Sequence, residues 1–154
     1  MSSRGQREQR RQEISNSQKL CKLALDGDKY GEMFAFLNQL DALEKQRVVT
    51  ATFNGIFPLH FAVRGANTAI VRFLLTLGGE EQVQKTSSMT GETALHLAAS
   101  RGNVEMTKML IKDFGADPLT KDGAGFTALD RSRQNGFFDL ANQKCDNTSK
   151  DIHH

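Results

Sequence analysis

The sequence predicts an all-α fold in which short helix-turn-helix units stack side by side into a solenoid. The first observation is a repeat, because segments that begin at Gly55, Gly91 and Gly125 align with one another at their starts. The second is that residues 91–110 read as a glycine turn, a short apolar helix, a second turn and a second helix. The third is size, because one such unit cannot bury both of its helices and must stack on copies of itself.

Residues 91–110 show why each element of a unit forms. Thr93 suits the N-cap of the first helix, because its hydroxyl can accept a hydrogen bond from an unpaired amide there, and its replacement by Ala costs about 1 kcal/mol. Gly102 ends that helix, where a left-handed residue is the common stop. The apolar residues of the first helix are mostly small, and those of the second recur at i, i+3 and i+4: Leu95, Ala98 and Ala99, then Met106, Met109 and Leu110.

The repeat period points to a known family. His60, His96 and Asp130 occupy the same place in successive segments, 36 and 34 residues apart. This is close to the period of about 33 residues of ankyrin repeats, whose signature is Thr-Pro-Leu-His-x-Ala. Residues 93–99 read Thr-Ala-Leu-His-Leu-Ala-Ala, and residues 115–118 read Gly-Ala-Asp-Pro. The chain therefore resembles the ankyrin-repeat family.

The resemblance covers roughly residues 17–147, which we take as one ankyrin-repeat domain. It implies an all-α ankyrin-repeat solenoid of about four repeats, whose helix-turn-helix units are joined by β-hairpin-like fingers. The first and last repeats are expected to act as caps, since terminal repeats of a solenoid need a polar outer face. Residues 1–16 are predicted to be a basic, polar tail that is disordered or forms a frayed helix and does not pack, and residues 148–154 a C-terminal tail.

The first repeat, residues 17–40, lacks the signature at its start, as a terminal repeat can. Cys21 takes the place that histidine holds in the next two repeats, and Gly27 ends the first helix. The second helix has a broad apolar face, formed by Tyr30, Phe34, Phe36, Leu37 and Leu40. Residues 41–54 are longer than the family's connection, and residues 41–49 are predicted to add a helical turn or two.

The second repeat, residues 55–79, departs from the signature at Phe57, which stands where the capping Thr is expected. Pro58 fits the first helical turn, where its missing amide costs nothing. Residues 80–88 are polar and longer than the usual finger. They are predicted to form a protruding hairpin loop, with a mobile spacer as the alternative.

The fourth repeat is predicted to end the stack. Asp130 replaces the histidine of the signature. Arg131 and Arg133 replace apolar positions of the first helix, and Gln143 and Lys144 replace those of the second. A polar outer face of this kind is what a terminal repeat requires.

The composition fits a small intracellular domain. The chain has 154 residues, of which 38% are hydrophobic and 25% charged, enough for stacked repeats with a continuous core. No apolar run approaches the roughly 18 residues of a membrane span, and the first residues lack the apolar stretch of a secretory signal. Cys21 and Cys145 lie near opposite ends of the repeats, which fits a reducing compartment. We therefore expect the cytoplasm or the nucleus, and no membrane partner.

The basic excess of the chain lies in residues 1–19. These residues contain five basic side chains against two acidic ones: Arg4, Arg7, Arg10, Arg11 and Lys19 against Glu8 and Glu13. A nucleic-acid-associated regulatory factor that uses this tail is the alternative function. Basic signals of this kind usually have about five to eight residues in one run, whereas Glu8 interrupts this one. A solvated tail without a nucleic-acid partner is therefore preferred.

One column of the repeats contains residue types that are typical of zinc sites and of nucleophile-base pairs. The column consists of Cys21, His60, His96 and Asp130. Stacked helices lie about 8 to 10 Å apart, whereas zinc lies about 2.0 to 2.3 Å from its ligands, so one residue per repeat cannot converge on a metal. The resemblance implies instead that the histidines are structural and fasten each turn to its helix. With no phosphate loop or nucleophile elbow either, we predict no enzymatic activity, no metal and no cofactor.

The resemblance implies that partners bind on a concave surface formed by the fingers and the first helices. Carried over position by position, the candidate partner-binding residues are Phe53, Asn54, Ile56, Arg64, Met89, Thr90, Glu92, Ser100, Arg101 and Phe126. The four apolar ones are Phe53, Ile56, Met89 and Phe126. Apolar residues flanked by arginines are typical of interface centres. The alternative is that Phe53 and Phe126 pack on their own turns.

The sequence thus predicts a monomeric protein-interaction module that acts as an adaptor or inhibitor through the concave face. Compact chains of this kind resemble stand-alone inhibitors and adaptors of the ankyrin-repeat family. That resemblance is one of size and architecture, and it does not identify the protein partner.

Overall fold

The computed structural model describes residues 3–137. These residues form eight α-helices: α1 (Ser3–Leu25), α2 (Tyr30–Asn38), α3 (Ala42–Thr50), α4 (Pro58–Arg64), α5 (Thr68–Gly78), α6 (Ala94–Ser100), α7 (Val104–Lys112) and α8 (Ala128–Gln134). A 3-10 helix (Glu80–Gln84) lies between α5 and α6. Within this part of the chain there is no β-strand, only an antiparallel bridge between Phe53 and Ile56.

The helices form the predicted stack of helix pairs. The first helices follow one another in a row, since α1 contacts α4, α4 contacts α6, and α6 contacts α8. Each second helix packs on its own first helix, as α2 does on α1, α5 on α4, and α7 on α6. The additional helix α3 packs on α1 and α5, which confirms extra helix in residues 41–49. The observed fold is therefore the predicted all-α solenoid.

Small residues let the row of first helices pack closely. Ala24, Ala62 and Ala98 are fully buried, so backbones can approach where a larger side chain would hold them apart. At the junction of the first two repeats, a Cβ on Gly65 would lie 2.5 Å from the carbonyl oxygen of Leu25. Glycine is therefore required there by close contact between two backbones.

The helix ends follow the chemistry of their terminal residues. At the start of α6, the Thr93 hydroxyl accepts a hydrogen bond from the backbone N–H of His96, and Gly102 beyond its end has a left-handed φ of 69°. Both features were predicted. At the start of α4, Phe57 supplies no side-chain cap and Pro58 occupies the first turn, as the sequence also indicated.

Two segments differ from expectation. Residues 3–16, predicted to be disordered or a frayed helix, are the first part of α1 and are almost entirely exposed. They are rich in good helix formers, and they extend a helix that residues 17–25 already nucleate by packing. The protruding hairpin predicted for residues 80–88 is absent from residues 80–84, which form the 3-10 helix and bury Val83. The domain boundaries at residues 16 and 147 stay predictions.

The predicted second helix of the fourth repeat lies outside the described residues. The same holds for Cys145 and for the predicted C-terminal tail, residues 148–154.

Candidate functional site: the groove between the fingers

The buried histidines connect each repeat to the finger of the next one. The Nε2–H of His60 donates to the carbonyl oxygen of Glu92 over 2.9 Å, and that of His96 donates to the carbonyl oxygen of Phe126 over 2.8 Å. The sequence predicted that these histidines fasten a turn to its own helix. In the structure each histidine bonds the finger of the next repeat, and only His96 also bonds the start of its own helix, through Thr93.

The two histidines differ at their other ring nitrogen. The Nδ1 of His96 accepts from the hydroxyl of Thr93 over 2.8 Å. Phe57 stands in that place in the second repeat, its ring lies 5.8 Å from that of His60, and the Nδ1 of His60 has no hydrogen-bond partner within residues 3–137. Burial, assisted by the charge of Arg64, lowers the pKa of His60. The ring is therefore neutral at pH 7.

Asp130, which stands in the fourth repeat where the second and third repeats have histidine, caps the start of α8. The carboxylate of Asp130 accepts from the backbone N–H of Thr127 over 3.1 Å, and the Thr127 hydroxyl accepts from the backbone N–H of Asp130 over 3.2 Å. Cys21 is buried beside Ser17, and burial raises the pKa of its thiol to about 12. Over residues 3–137, no three His, Cys, Asp or Glu side chains are grouped as a metal site would require.

The finger of the fourth repeat is built around the Asp122 carboxylate. One of its oxygens accepts from the backbone N–H groups of Ala124 and Phe126, each over 3.0 Å. The other accepts from the Nε of Arg131 over 2.6 Å, and the Asp122 side chain is fully buried. Burial favours the neutral acid, but the hydrogen bonds from Arg131, Phe126 and Ala124 outweigh it and lower the pKa of Asp122.

The three fingers are joined to one another through their backbones. The N–H of Ser88 donates to the carbonyl oxygen of Gly55 over 3.0 Å, and the N–H of Gly123 donates to that of Thr90 over 2.9 Å. A Cβ on Gly91 would lie 2.6 Å from the nitrogen of Gly123. Neighbouring fingers are therefore in direct contact and form one continuous surface.

A groove of about 160 Å³ lies between the finger of the second repeat and the finger of the third repeat, and we call it the finger groove. It is lined by Ile56, His60, Arg64, Ser87, Met89, Thr90, Glu92 and Leu97. Met89 is the most exposed of the large apolar residues in the described chain, at 76%. The Thr90 hydroxyl donates to the Glu92 carboxylate over 2.9 Å, so the acidic wall of the groove is held in place.

The structure brings half of the predicted site residues together in this groove. Those that line it are Ile56, Arg64, Met89, Thr90 and Glu92, and those that do not are Phe53, Asn54, Ser100, Arg101 and Phe126. Phe53 is half-buried and pairs with Ile56 through two backbone hydrogen bonds. The ring of Phe126 is 37% exposed and lies beneath the guanidinium of Arg131, 4.8 Å from its carbon. The partner-binding role of all ten stays a prediction.

Three lining residues were not predicted to belong to the site: His60, Ser87 and Leu97. His60 was assigned a structural role only. Ser87 lies in the segment that was predicted to protrude, but it is buried and bonds the Thr90 hydroxyl over 2.6 Å. Leu97 directly follows the signature histidine, His96, and the sequence gives no signal that it lines the groove.

The stacked helix pairs and the joined fingers define a repeat protein whose fingers form one continuous surface. A family model described as ankyrin repeats, in three copies, matches residues 15–122 and, in an overlapping match, residues 59–151. The chain belongs to the ankyrin-repeat family. Repeats of this family are protein-interaction modules, and this chain is one.

Relatives and solved structures agree with that assignment. Human diacylglycerol kinase iota is 40% identical over 83 residues, which is 54% of this chain and 8% of the kinase. The mouse ARF GTPase-activating protein GIT2 is 33% identical over 110 residues, which is 71% of this chain and 15% of that protein. A rice BTB/POZ domain and ankyrin repeat-containing protein, NH5.2, is 40% identical over 72 residues, covering 47% and 14%. This chain thus spans only a small part of these curated relatives.

A solved structure, that of the yeast ribosomal protein Rps3 in complex with its chaperone Yar1, contains a similar fold. The TM-score is 0.74 at 20% identity, and the match covers 84% of this chain and 90% of that one. At this identity the likeness shows the fold alone. Among residues 3–137, no helix has both the length and the apolar character needed to cross a membrane.

Proposed function

We propose that this chain is an adaptor or inhibitor that holds a segment of a partner protein in the finger groove and carries out no chemistry of its own. The observation that carries the proposal is the exposure of Met89 at the edge of the groove. A large apolar side chain that is 76% exposed beside a groove between Arg64 and Glu92 has the composition of an interface anchor with a charged rim.

The size of the groove limits what enters it. A cavity of about 150 Å³ accommodates a benzene molecule, so a groove of about 160 Å³ accepts one apolar side chain of the partner. Burying a Met side chain contributes about 1.5 to 3 kcal/mol, whereas an exposed ion pair contributes about 0 to 1 kcal/mol. Met89 is therefore expected to supply affinity, and the rim charges to select an oppositely charged neighbour on each side.

The absence of catalysis is part of the proposal. His60, which lines the groove, and His96 in the next repeat are 0% and 1% exposed and donate from Nε2 to backbone carbonyls. They are thus committed to holding fingers. We place the module in the cytoplasm or nucleus, because Cys21 is a free, buried thiol.

The test compares two substitutions at equally exposed apolar residues. Met89→Asp puts a charge at the groove, and Leu119→Asp does the same at a residue that is 72% exposed and does not line it. A partner captured by the unaltered protein is purified, and its affinity for each variant is measured by calorimetry. We expect Met89→Asp to weaken binding at least about tenfold, which corresponds to about 1.4 kcal/mol, and Leu119→Asp to leave it unchanged.

Circular dichroism must show that both variants keep the fold. Equal affinity of the two variants would move the interface away from the finger groove. Turnover of any captured partner would refute the non-catalytic part of the proposal and leave the binding part intact.

A further inference from the structure

The first part of α1 is a basic helical arm, which we define as residues 3–16. All of its residues up to 15 are exposed, and its one large apolar side chain, Ile14, is 57% exposed. The arm has no apolar face with which to pack on the solenoid. Its intrachain ion pair between Arg4 and Glu8 joins side chains that are 91% and 71% exposed, and such pairs contribute very little.

Between the arm and α3 lies an open cleft with a volume of about 560 Å³, which we call the arm cleft. Its lining is polar throughout: Ser3, Gln6, Arg7, Gln9, Arg10 and Glu13 on the arm, with Arg47 on α3. Arg47 contacts the Glu13 carboxylate over 3.5 Å. The cleft thus has three guanidinium groups and one carboxylate.

The ion pairs within the arm cleft are incomplete. Arg7 and Arg10 make no ion pair within residues 3–137, while Arg47 already holds one carboxylate. Guanidinium groups bind carboxylates through paired, charge-assisted hydrogen bonds. Two unpaired guanidiniums beside a third that binds Glu13 therefore provide places for two further carboxylates.

We propose that the arm cleft binds an acidic polypeptide segment, with Arg7, Arg10 and Arg47 as the residues that contact its carboxylates. This surface shares no lining residue with the finger groove, so it is a second interaction site, independent of the function proposed above.

A protein segment fits the cleft better than a nucleic acid does. Nucleic-acid-binding domains commonly have a pI above about 9, whereas the pI of this chain is about 8.6 and its net charge is +2. Single strands are usually held by aromatic rings that stack on bases, and no aromatic residue lines the cleft.

The matched variants remove the same charge from two faces of the same helix. Arg7→Gln with Arg10→Gln removes two arginines that line the cleft, and Arg4→Gln with Arg11→Gln removes two that do not. Fluorescence anisotropy measures the binding of a fluorescein-labelled poly-glutamate peptide at about 0.1 M salt, where the Debye length is about 10 Å. Circular dichroism checks that each variant keeps its helix content.

We expect the cleft pair to weaken poly-glutamate binding at least about tenfold, and the control pair less than about threefold, because Arg4 and Arg11 do not line the cleft and act on a bound carboxylate only through screened, longer-range attraction. Arg47→Gln, on the opposite wall, should also weaken binding. Equal losses for the two pairs would show diffuse attraction and overturn the proposal. Tighter binding of labelled poly-thymidine than of poly-glutamate would overturn it in favour of a nucleic acid, and no measurable poly-glutamate binding would overturn it outright.

Discussion

Replacing Asp122 by alanine is expected to destabilise the protein more than any exposed charge substitution. The Asp122 carboxylate is fully buried. It organises the turn that carries Phe126 and joins that turn to α8 through Arg131. Alanine removes all of these contacts together, whereas asparagine keeps one oxygen to accept the two backbone N–H groups and loses the charge that pairs with Arg131.

The magnitude follows from the groups that lose a partner. A hydrogen bond to a charged group contributes about 1.5 to 3 kcal/mol, and the 27% exposure of the Arg131 side chain lets water replace part of this. The two backbone donors belong to exposed residues, so each loses well under about 1 kcal/mol. We expect about 3 kcal/mol for Asp122→Ala and about 1 to 2 kcal/mol for Asp122→Asn. At about 2 to 4 °C per kcal/mol, Asp122→Ala should lower the Tm by about 6 to 12 °C.

The assay is urea unfolding followed by circular dichroism at several pH values. Because the folded-state pKa of Asp122 is lowered, its contribution is fully present above the unfolded pKa of about 3.9 and is lost as pH falls through the folded value. The difference in unfolding free energy between the unaltered protein and Asp122→Asn should therefore be largest at neutral pH and should become smaller in acid. The control is Asp117→Asn, an exposed carboxylate in a similar turn, expected to change stability by less than about 0.5 kcal/mol.

The reasoning is refuted if Asp122→Asn and Asp117→Asn cost the same at neutral pH. It is also refuted if the difference in unfolding free energy between the unaltered protein and Asp122→Asn stays constant as the Asp122 carboxylate is protonated.

Three further predictions concern the stack itself. Thr93→Val removes the hydroxyl that caps α6 and that donates to a buried histidine nitrogen, which keeps only a longer bond from the backbone N–H of residue 93. Urea unfolding should therefore show a loss of about 2 kcal/mol; a loss below about 0.5 kcal/mol would contradict this. Gly65→Ala forces a Cβ onto the Leu25 carbonyl and should lower the Tm, whereas Gly31→Ala, with nothing within 4 Å, should raise it slightly; the opposite order would be inconsistent with the close contact. NMR titration should find the pKa of His60 below its usual 6.5, so the stability it contributes is present above pH 6.5 and is lost as pH falls through the folded value; a raised pKa would show that the ring is not desolvated.

The parts of the fold that the sequence predicted are those with local, repeated chemistry. The cap at Thr93 and the glycine stop at Gly102 act within a few residues of themselves, so their signals are visible in the chain. The basic helical arm was predicted only as disorder or a frayed helix, because its sequence has no apolar period and its helix depends on residues 17–25 that continue it. The 3-10 helix was missed because the burial of Val83 depends on contacts with α5 and α6.

Five of the ten predicted site residues line the finger groove, and their role in binding stays a prediction. Ile56, Met89 and Glu92 lie where the repeat pattern puts the finger tips, so carrying positions over from the repeats was sufficient for them. Leu97 lies on α6, and its place at the groove depends on the packing of α6 against α4, which no local pattern reports. The turn around Asp122 did have a signal, since Asp followed by two glycines within three residues is typical of a side-chain-stabilised turn.

The hydrogen bonds that join neighbouring fingers also bear on the entropy of binding. A loop that orders only when a ligand arrives loses backbone freedom worth about 1 to 2 kcal/mol per residue. Here Ser88 and Gly123 are already bonded to the fingers beside them, so that loss occurred on folding. The conformational cost of association therefore falls on the partner. Partner segments that are already rigid before binding should therefore stay bound to the fingers longest. Flexible partner segments that make the same contacts should dissociate sooner.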